Sequence, residues 1–376
     1  MTITQCGDDS TNPSAINQQQ GNEKTIKTSF LQHKNREATN KKCHEIISDG
    51  ISNLHVILDF DHTLTAYHDN NGNVCYECHD MLYNGPLCQK TGENDEKKTN
   101  CRYNATFHSD ISSIWADMKT GRLPPGQREW WDRFHDSMIR NKVTKQDIKD
   151  SVDCSNTILR PGAVEVLDWL RRFNVPTTIV SAGITFIITE FLEKHDLLYD
   201  NIKIVANVPI WGKDDVTAGW KEPLVISRNK AQVLKYLGFD NDGVALETEN
   251  SNSATNGHEN PSFVPKSNVI LAGNSIGDSK CLGGVNCKQS LAFGFLHIDI
   301  ETKAFRVDEE DDTNELPLME KMSSSSTACE FALSKEGNKE LENFLQHYDV
   351  VSCGHGMDFQ YILNLFEEME MNERAT

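Results

Sequence analysis

The chain has 376 residues, of which 38% are hydrophobic, and a formal net charge of −19. That charge excludes the broad basic surface that a nucleic acid or an anionic membrane requires, so neither is an expected partner. No apolar run reaches the roughly 18 residues of a spanning helix. Residues 1–20 lack the apolar stretch of a secretory signal, so the eleven cysteines read as reduced thiols of a cytoplasmic protein.

In chain order, residues 1–42 are rich in Gln, Asn, Ser, Thr and Lys. Such a segment cannot offset its ordering entropy, and it is expected to be a disordered tail. The core begins near residue 43 and enters a strand at 54–59. Its run Val56-Ile57-Leu58 is the apolar signature of a strand buried on both faces. Asp59 and Asp61 follow, then Thr63. Positions i and i+2 of an extended chain point the same way, so both carboxylates leave the strand's C-terminal end together. Two such acids can divide nucleophilic attack and proton transfer at a phosphoryl group. Taken alone, the pair is as readily a turn or a helix cap.

Residues 66–153 are too many for a loop, and read as a mostly helical cap inserted after that strand. Residues 127–151 have helical spacing, with Trp130, Phe134, Ile139 and Ile148 as apolar points. Cys75 and Cys78 supply half of a tetrahedral zinc site, but no second CxxC follows, so buried or incidental thiols are expected instead. The Trp130-Trp131 pair suits either stacking on a nucleobase or packing within the cap.

From residue 154 the pattern becomes regular. Arg160-Pro161-Gly162 leads into a helix, and the strand at 176–180 ends in Ser181-Ala182-Gly183 at a helix start. A hydroxyl with amides in that position makes a phosphate cradle. A strand at 202–206, a turn with flanking β at 211–219, and a helix opened by Lys230 follow. Residues 240–266 read as an acidic disordered loop, and 268–272 as a buried strand running into Gly273-Asn274-Ser275-Ile276-Gly277-Asp278. A strand at 290–296, a second acidic loop at 306–327, a short strand at 349–351 and a helix over 357–371 complete the chain. Alternating strands and helices predict an α/β fold, a doubly wound parallel sheet formed by 43–65 and 154–376 with the helical cap inserted at 66–153.

DxDxT, SAG, a lysine and GNxxGD, in that order on strand ends, resemble the haloacid-dehalogenase superfamily. More narrowly, the chain resembles the cytosolic pyrimidine 5'-nucleotidases. That likeness rests on Asp59 to Thr65, Cys75-Tyr76-Glu77-Cys78-His79, Glu129-Trp130-Trp131 with His135, Ser181 to Ile184, Asn229-Lys230, and Gly273 to Asp278. It implies that Asp59 is the nucleophile and that Asp61 protonates the leaving nucleoside oxygen and then activates water. Thr63, Ser181, Ala182 and Gly183 would hold phosphate oxygens, and Lys230 would neutralise charge. Mg²⁺ would be the cofactor, held by Asp59, Asp61 and the loop carrying Asn274 and Asp278. The need for cations is physical: each pair of like unit charges at 4 Å costs about 4 kcal/mol at an effective dielectric of 20. One position departs from the family, which has an aspartate where this chain has Asn274. The expected substrate is a nucleoside 5'-monophosphate with a pyrimidine base, and the expected state a monomer. The cap residue that reads the base does not align, and Asp117 and Glu129 are its candidates. Two alternatives stay open: a phosphatase for another small phosphate monoester, and a catalytically weak nucleotide-binding protein.

Overall fold

The structure, a computed structural model, describes residues 29–88, 104–120, 129–237, 266–298, 300–304 and 329–375. It opens with β1 (Ser29–His33), α1 (Arg36–Asp49) and β2 (Leu54–Leu58). Four helices follow: α2 (Cys78–Asn84), α3 (Ala105–Thr120), α4 (Trp130–Arg140) and α5 (Lys145–Cys154). Then come α6 (Ala163–Arg172), β3 (Thr177–Ile184), α7 (Thr185–Lys194), β4 (Ile202–Asn207), β5 (Pro209–Trp211), β6 (Thr217–Trp220) and α8 (Lys230–Leu237). The last third holds β7 (Asn268–Gly273), α9 (Ile276–Ser279), β8 (Gln289–Leu296), β9 (Ile300–Ala304), β10 (Cys329–Leu333), α10 (Lys335–His347), β11 (Val350–Gly354) and α11 (Gln360–Ala375).

Seven strands form one sheet in the order β1-β11-β8-β7-β2-β3-β4. All neighbours run parallel except β1, which pairs antiparallel with β11. Alternation along β2 sends Val56 and Leu58 into one apolar cluster and Ile57 into another. The first cluster takes in Phe191, Phe359 and Phe366, and the second Val180, Leu271 and Phe344. Both faces of the sheet are therefore covered, as the unbroken apolar strands require. β5 with β6, and β9 with β10, form two small two-stranded antiparallel sheets.

Several expectations need correction. Residues 29–42 are not tail: they form β1, which pairs with β11 some 320 residues away in sequence, and the first half of α1. A polar edge strand paired so far along the chain leaves no local apolar signal. The helix expected over 127–151 is two helices. Lys142 sits at φ 53°, and Thr144 and Asp147 form a reciprocal capping box that starts α5 afresh. The C-terminal helix begins at Gln360 rather than 357. Residues 1–28, the loop expected at 240–266 apart from residue 266, and the loop expected at 306–327 lie outside the described residues.

Candidate active site

β2 lies between β7 and β3, and the chain leaves it at Asp59, whose N–H donates to the Ala272 carbonyl at 3.0 Å. The carboxylate thus emerges between the ends of β3 and β7, in the crevice where such sheets bind ligands. His62, in the left-handed region at φ 55°, then reverses the chain, and its N–H donates to Thr65 Oγ1 at 2.8 Å.

Lys230 Nζ donates to Asp59 Oδ1 and to Asp278 Oδ1, both at 2.6 Å, and Thr63 Oγ1 donates to Asp59 Oδ2 at 3.2 Å. Asp278 Oδ2 accepts from the Asn274 and Ser275 amides at 3.1 and 2.9 Å and from Ser275 Oγ at 2.8 Å. Asp278 therefore grips both the lysine and the glycine-framed loop. Gly183 N–H donates to Ser181 Oγ at 2.9 Å, and Asp61 Oδ1 accepts the Cys78 N–H at 2.9 Å. The structure brings Asp59, Thr63, Lys230 and Asp278 into one bonded group. It sets Ser181 and Gly183 on β3 beside it, where α2 approaches: a Cβ on Gly183 would lie 2.5 Å from Cys78 Sγ. The Asn274 side chain is half-buried.

Burial and the Asp278 carboxylate push Asp59 up to about 7, against the opposing pull of Lys230. Burial, then the Glu77 and Asp59 carboxylates, raise Asp61 well above the usual range. For Lys230, burial favours loss of its proton, but Asp278 and Asp59 outweigh it and hold the ammonium above its ordinary value. Two buried carboxylates thus share one lysine, and burial first, then the Asp278 charge, raises Asp59. A divalent cation bound through hard oxygen donors would offset that charge, so the residues present fit the metal that this class typically uses.

Supporting residues were silent in the sequence. Arg160, 3% exposed, donates to the carbonyls of Thr63 at 2.8 Å, His62 at 2.5 Å and Met357 at 3.2 Å, and stacks 3.9 Å over Phe295. It holds the turn that aims Asp59 and Asp61. Asn207 Nδ2 donates to Ala182, Gly183 and Val225 carbonyls at 2.8, 3.1 and 2.9 Å, joining the SAG segment to the loop before Lys230. The Tyr348 hydroxyl donates to the Ser275 carbonyl at 2.5 Å. Glu77 lies 3.3 Å from His62 Nδ1, at the start of α2 and near enough to raise Asp61. Glu77 stood in the cysteine motif and Arg160 in the Arg160-Pro161-Gly162 lead-in to a helix, and neither set of letters shows the burial or the partners found here.

The candidate base readers are engaged elsewhere. Asp117 pairs with Arg133 at 2.8 Å, and Glu129 pairs with Arg228, two residues before Lys230. Trp130 is partly buried against the core and stacks on Trp131, with His79 edge-on to it at 5.0 Å. Cys75 and Cys78 are buried, are in no disulfide, and join no group of three metal-capable side chains among the described residues.

A buried aspartate at the C-terminal end of an interior strand of such a sheet, held by a lysine and backed by a glycine-framed carboxylate loop, defines a phosphohydrolase of the haloacid-dehalogenase class. The chain belongs to the pyrimidine 5'-nucleotidase (UMPH-1) family of phosphoric monoester hydrolases, whose profile matches residues 62–312. It is similar to 7-methylguanosine phosphate-specific 5'-nucleotidase of Gallus gallus, at 28% identity over 69% of this chain and 82% of that one. The Homo sapiens protein of the same name is 29% identical over 68% of this chain and 77% of its own. Among solved structures, cytosolic 5'-nucleotidase IIIB bound to cytidine matches with a TM-score of 0.60 and 16% identity, covering 92% of this chain and 94% of that one. At that identity the likeness shows the fold.

Proposed function

We propose that this 5'-nucleotidase cleaves pyrimidine nucleoside 5'-monophosphates through a phosphoryl-aspartate on Asp59. The observation that supports this most is the Asp59–Lys230–Asp278 group, in which one carboxylate oxygen of Asp59 is held by Lys230 and the other by Thr63. Held in this way, Asp59 attacks phosphorus in line, the P–O bond to the nucleoside breaks, and the leaving oxygen takes the proton of Asp61. The raised Asp61 keeps that proton available near neutral pH. Asp61 then accepts a proton from water as it hydrolyses the acyl phosphate, returning Asp59 and releasing phosphate. Lys230 and the β3 amides receive the phosphate oxygens. Asp59, the Asp61 carbonyl and the Asn274 amide oxygen would hold Mg²⁺, which supplies Lewis-acid charge neutralisation when bound. Asp278, gripping Lys230 and the loop amides, orients that set.

Residues 66–153 act as the cap that selects the base, and His79 and Trp130 pack together in its aromatic cluster. A second reading, 7-methylguanosine monophosphate as substrate, is favoured by the names of the relatives. No described helix is long and apolar enough to cross a membrane. We place the enzyme in the cytoplasm, as the name of a putative cytosolic 5'-nucleotidase 3 of Caenorhabditis elegans, 25% identical, supports. The test is phosphate release from UMP, CMP, 7-methyl-GMP, AMP and phosphoserine, with and without Mg²⁺. Selective release from UMP and CMP supports the first reading, and from 7-methyl-GMP the second. Preference for phosphoserine would overturn both.

A further inference from the structure

Three histidines from distant parts of the sequence meet at the C-terminal ends of the strands. His297 is the first residue after β8 and His355 the first after β11. These are adjacent parallel strands, with Leu296 in register with Cys353. His68 comes from the segment after β2, where its bridge to Val74 closes a small hairpin. One nitrogen from each ring lies within 4.8 Å of the other two, and all three side chains are half-buried. His355 Nδ1 and His68 Nδ1 are 3.5 Å apart. Tyr67 stacks on the His297 ring at 3.6 Å and 12°, which fixes that imidazole's plane. β8 and β11 are two and three places from β2 in the sheet, so the group is separate from the Asp59 carboxylate set.

Tetrahedral zinc with Zn–N bonds of about 2.0–2.1 Å sets its nitrogens about 3.3–3.4 Å apart. The His68–His355 separation already nearly meets that spacing. Aromatic packing explains the Tyr67 stack and a hydrogen bond joins His68 to His355; beyond both, each of the three rings brings a nitrogen within 4.8 Å of the other two.

We propose that His68, His297 and His355 form a binding site for a first-row divalent cation of zinc's type. Three neutral imidazoles complete three positions of a tetrahedron and leave the fourth to water or an exogenous ligand. Mg²⁺, which prefers oxygen ligands, does not compete there. The ion fastens the hairpin after β2 to the ends of β8 and β11. That hairpin also carries the Cys75 carbonyl, 3.0 Å from His62 Nε2, so the metal steadies the segment between the catalytic turn and α2. Binding to the folded state alone raises thermal stability by mass action.

The test uses the full chain, stripped with chelator and titrated with Zn²⁺ in excess Mg²⁺. Wild type and Asp59→Asn should each bind one more equivalent of Zn²⁺ than His355→Ala or His68→Gln, and only the first two should gain thermal stability on adding it. On unmodified protein, Zn²⁺ should shield His68, His297 and His355 together from diethylpyrocarbonate, read by peptide mass spectrometry, so the test survives a variant that fails to fold. Equal modification of the three with and without Zn²⁺, displacement of Zn²⁺ by Mg²⁺, or unchanged stoichiometry in both folded variants would overturn the proposal.

Discussion

Asp59 is anionic when it attacks, so its protonation state governs the rate. With burial and Asp278 pushing it up to about 7, activity should fall as pH drops through that region. A bound cation favours the anion and moves this acid limb down. Profiles of kcat/KM against pH at low and high Mg²⁺ should therefore separate, with the high-Mg²⁺ limb at lower pH; coincident limbs would contradict the assignment of Asp59. Asn274 offers an amide oxygen but no formal charge. Asn274→Asp should lower the Mg²⁺ concentration giving half-maximal activity, and an unchanged or raised value would remove Asn274 from the metal set. The sequence made these residues legible because each sits in a short motif at a strand end. It did not show which way they face: that Asp278 spends one oxygen on Lys230 and the other on the loop amides depends on a fold that unites distant segments. Glu77 was legible only as a letter in a cysteine motif, and its proximity to Asp61 comes from the packing of α2.

At the scale of elements, the site depends on how closely the strand-end segments approach. A Cβ on Gly277 would stand 2.3 Å from the Ser227 carbonyl, in the loop that delivers Lys230. Gly277→Ala should push that loop away and reduce kcat by about tenfold or more, since small misplacements at such a site are costly. Wild-type turnover in Gly277→Ala would show the contact is dispensable. Arg160 binds three carbonyls and is held down to about 9 by burial. Arg160→Met would leave those carbonyls unsatisfied and should cost about 3 kcal/mol of stability, measured by urea unfolding, together with turnover. A loss below about 1 kcal/mol would mean that water replaces the guanidinium at little cost. β2, β3 and β7 were readable as apolar runs ending in polar turns. The break between α4 and α5 was not, because a helical period continues across a left-handed residue whose conformation the sequence does not display.

Across the whole molecule, helices cover both faces of one sheet, and several histidines are enclosed as neutral groups. Burial, helped by Lys203 and Lys266, lowers His55 to about 4, and burial alone lowers His79 to about 3. Because the folded values lie below the unfolded one near 6.5, the unfolded chain binds protons first as pH falls. Stability should therefore be full above about 6.5 and decline from there towards 4, by about 2 kcal/mol per such histidine at pH 5. His79→Phe should flatten the decline in urea midpoint between pH 7.5 and 5; an unchanged slope would show that His79 is not the group responsible. The doubly wound architecture was legible from alternating elements, whereas the antiparallel edge made by β1 was not, since nothing near residues 29–33 signals a partner at 350–354. The most direct test of the account is acid quenching of the enzyme during turnover of UMP or CMP, followed by peptide mapping. A phosphoryl group on the peptide containing Asp59, absent in Asp59→Asn together with turnover, is the predicted result. Turnover that persists in Asp59→Asn, or a phosphoryl group carried elsewhere, would contradict it.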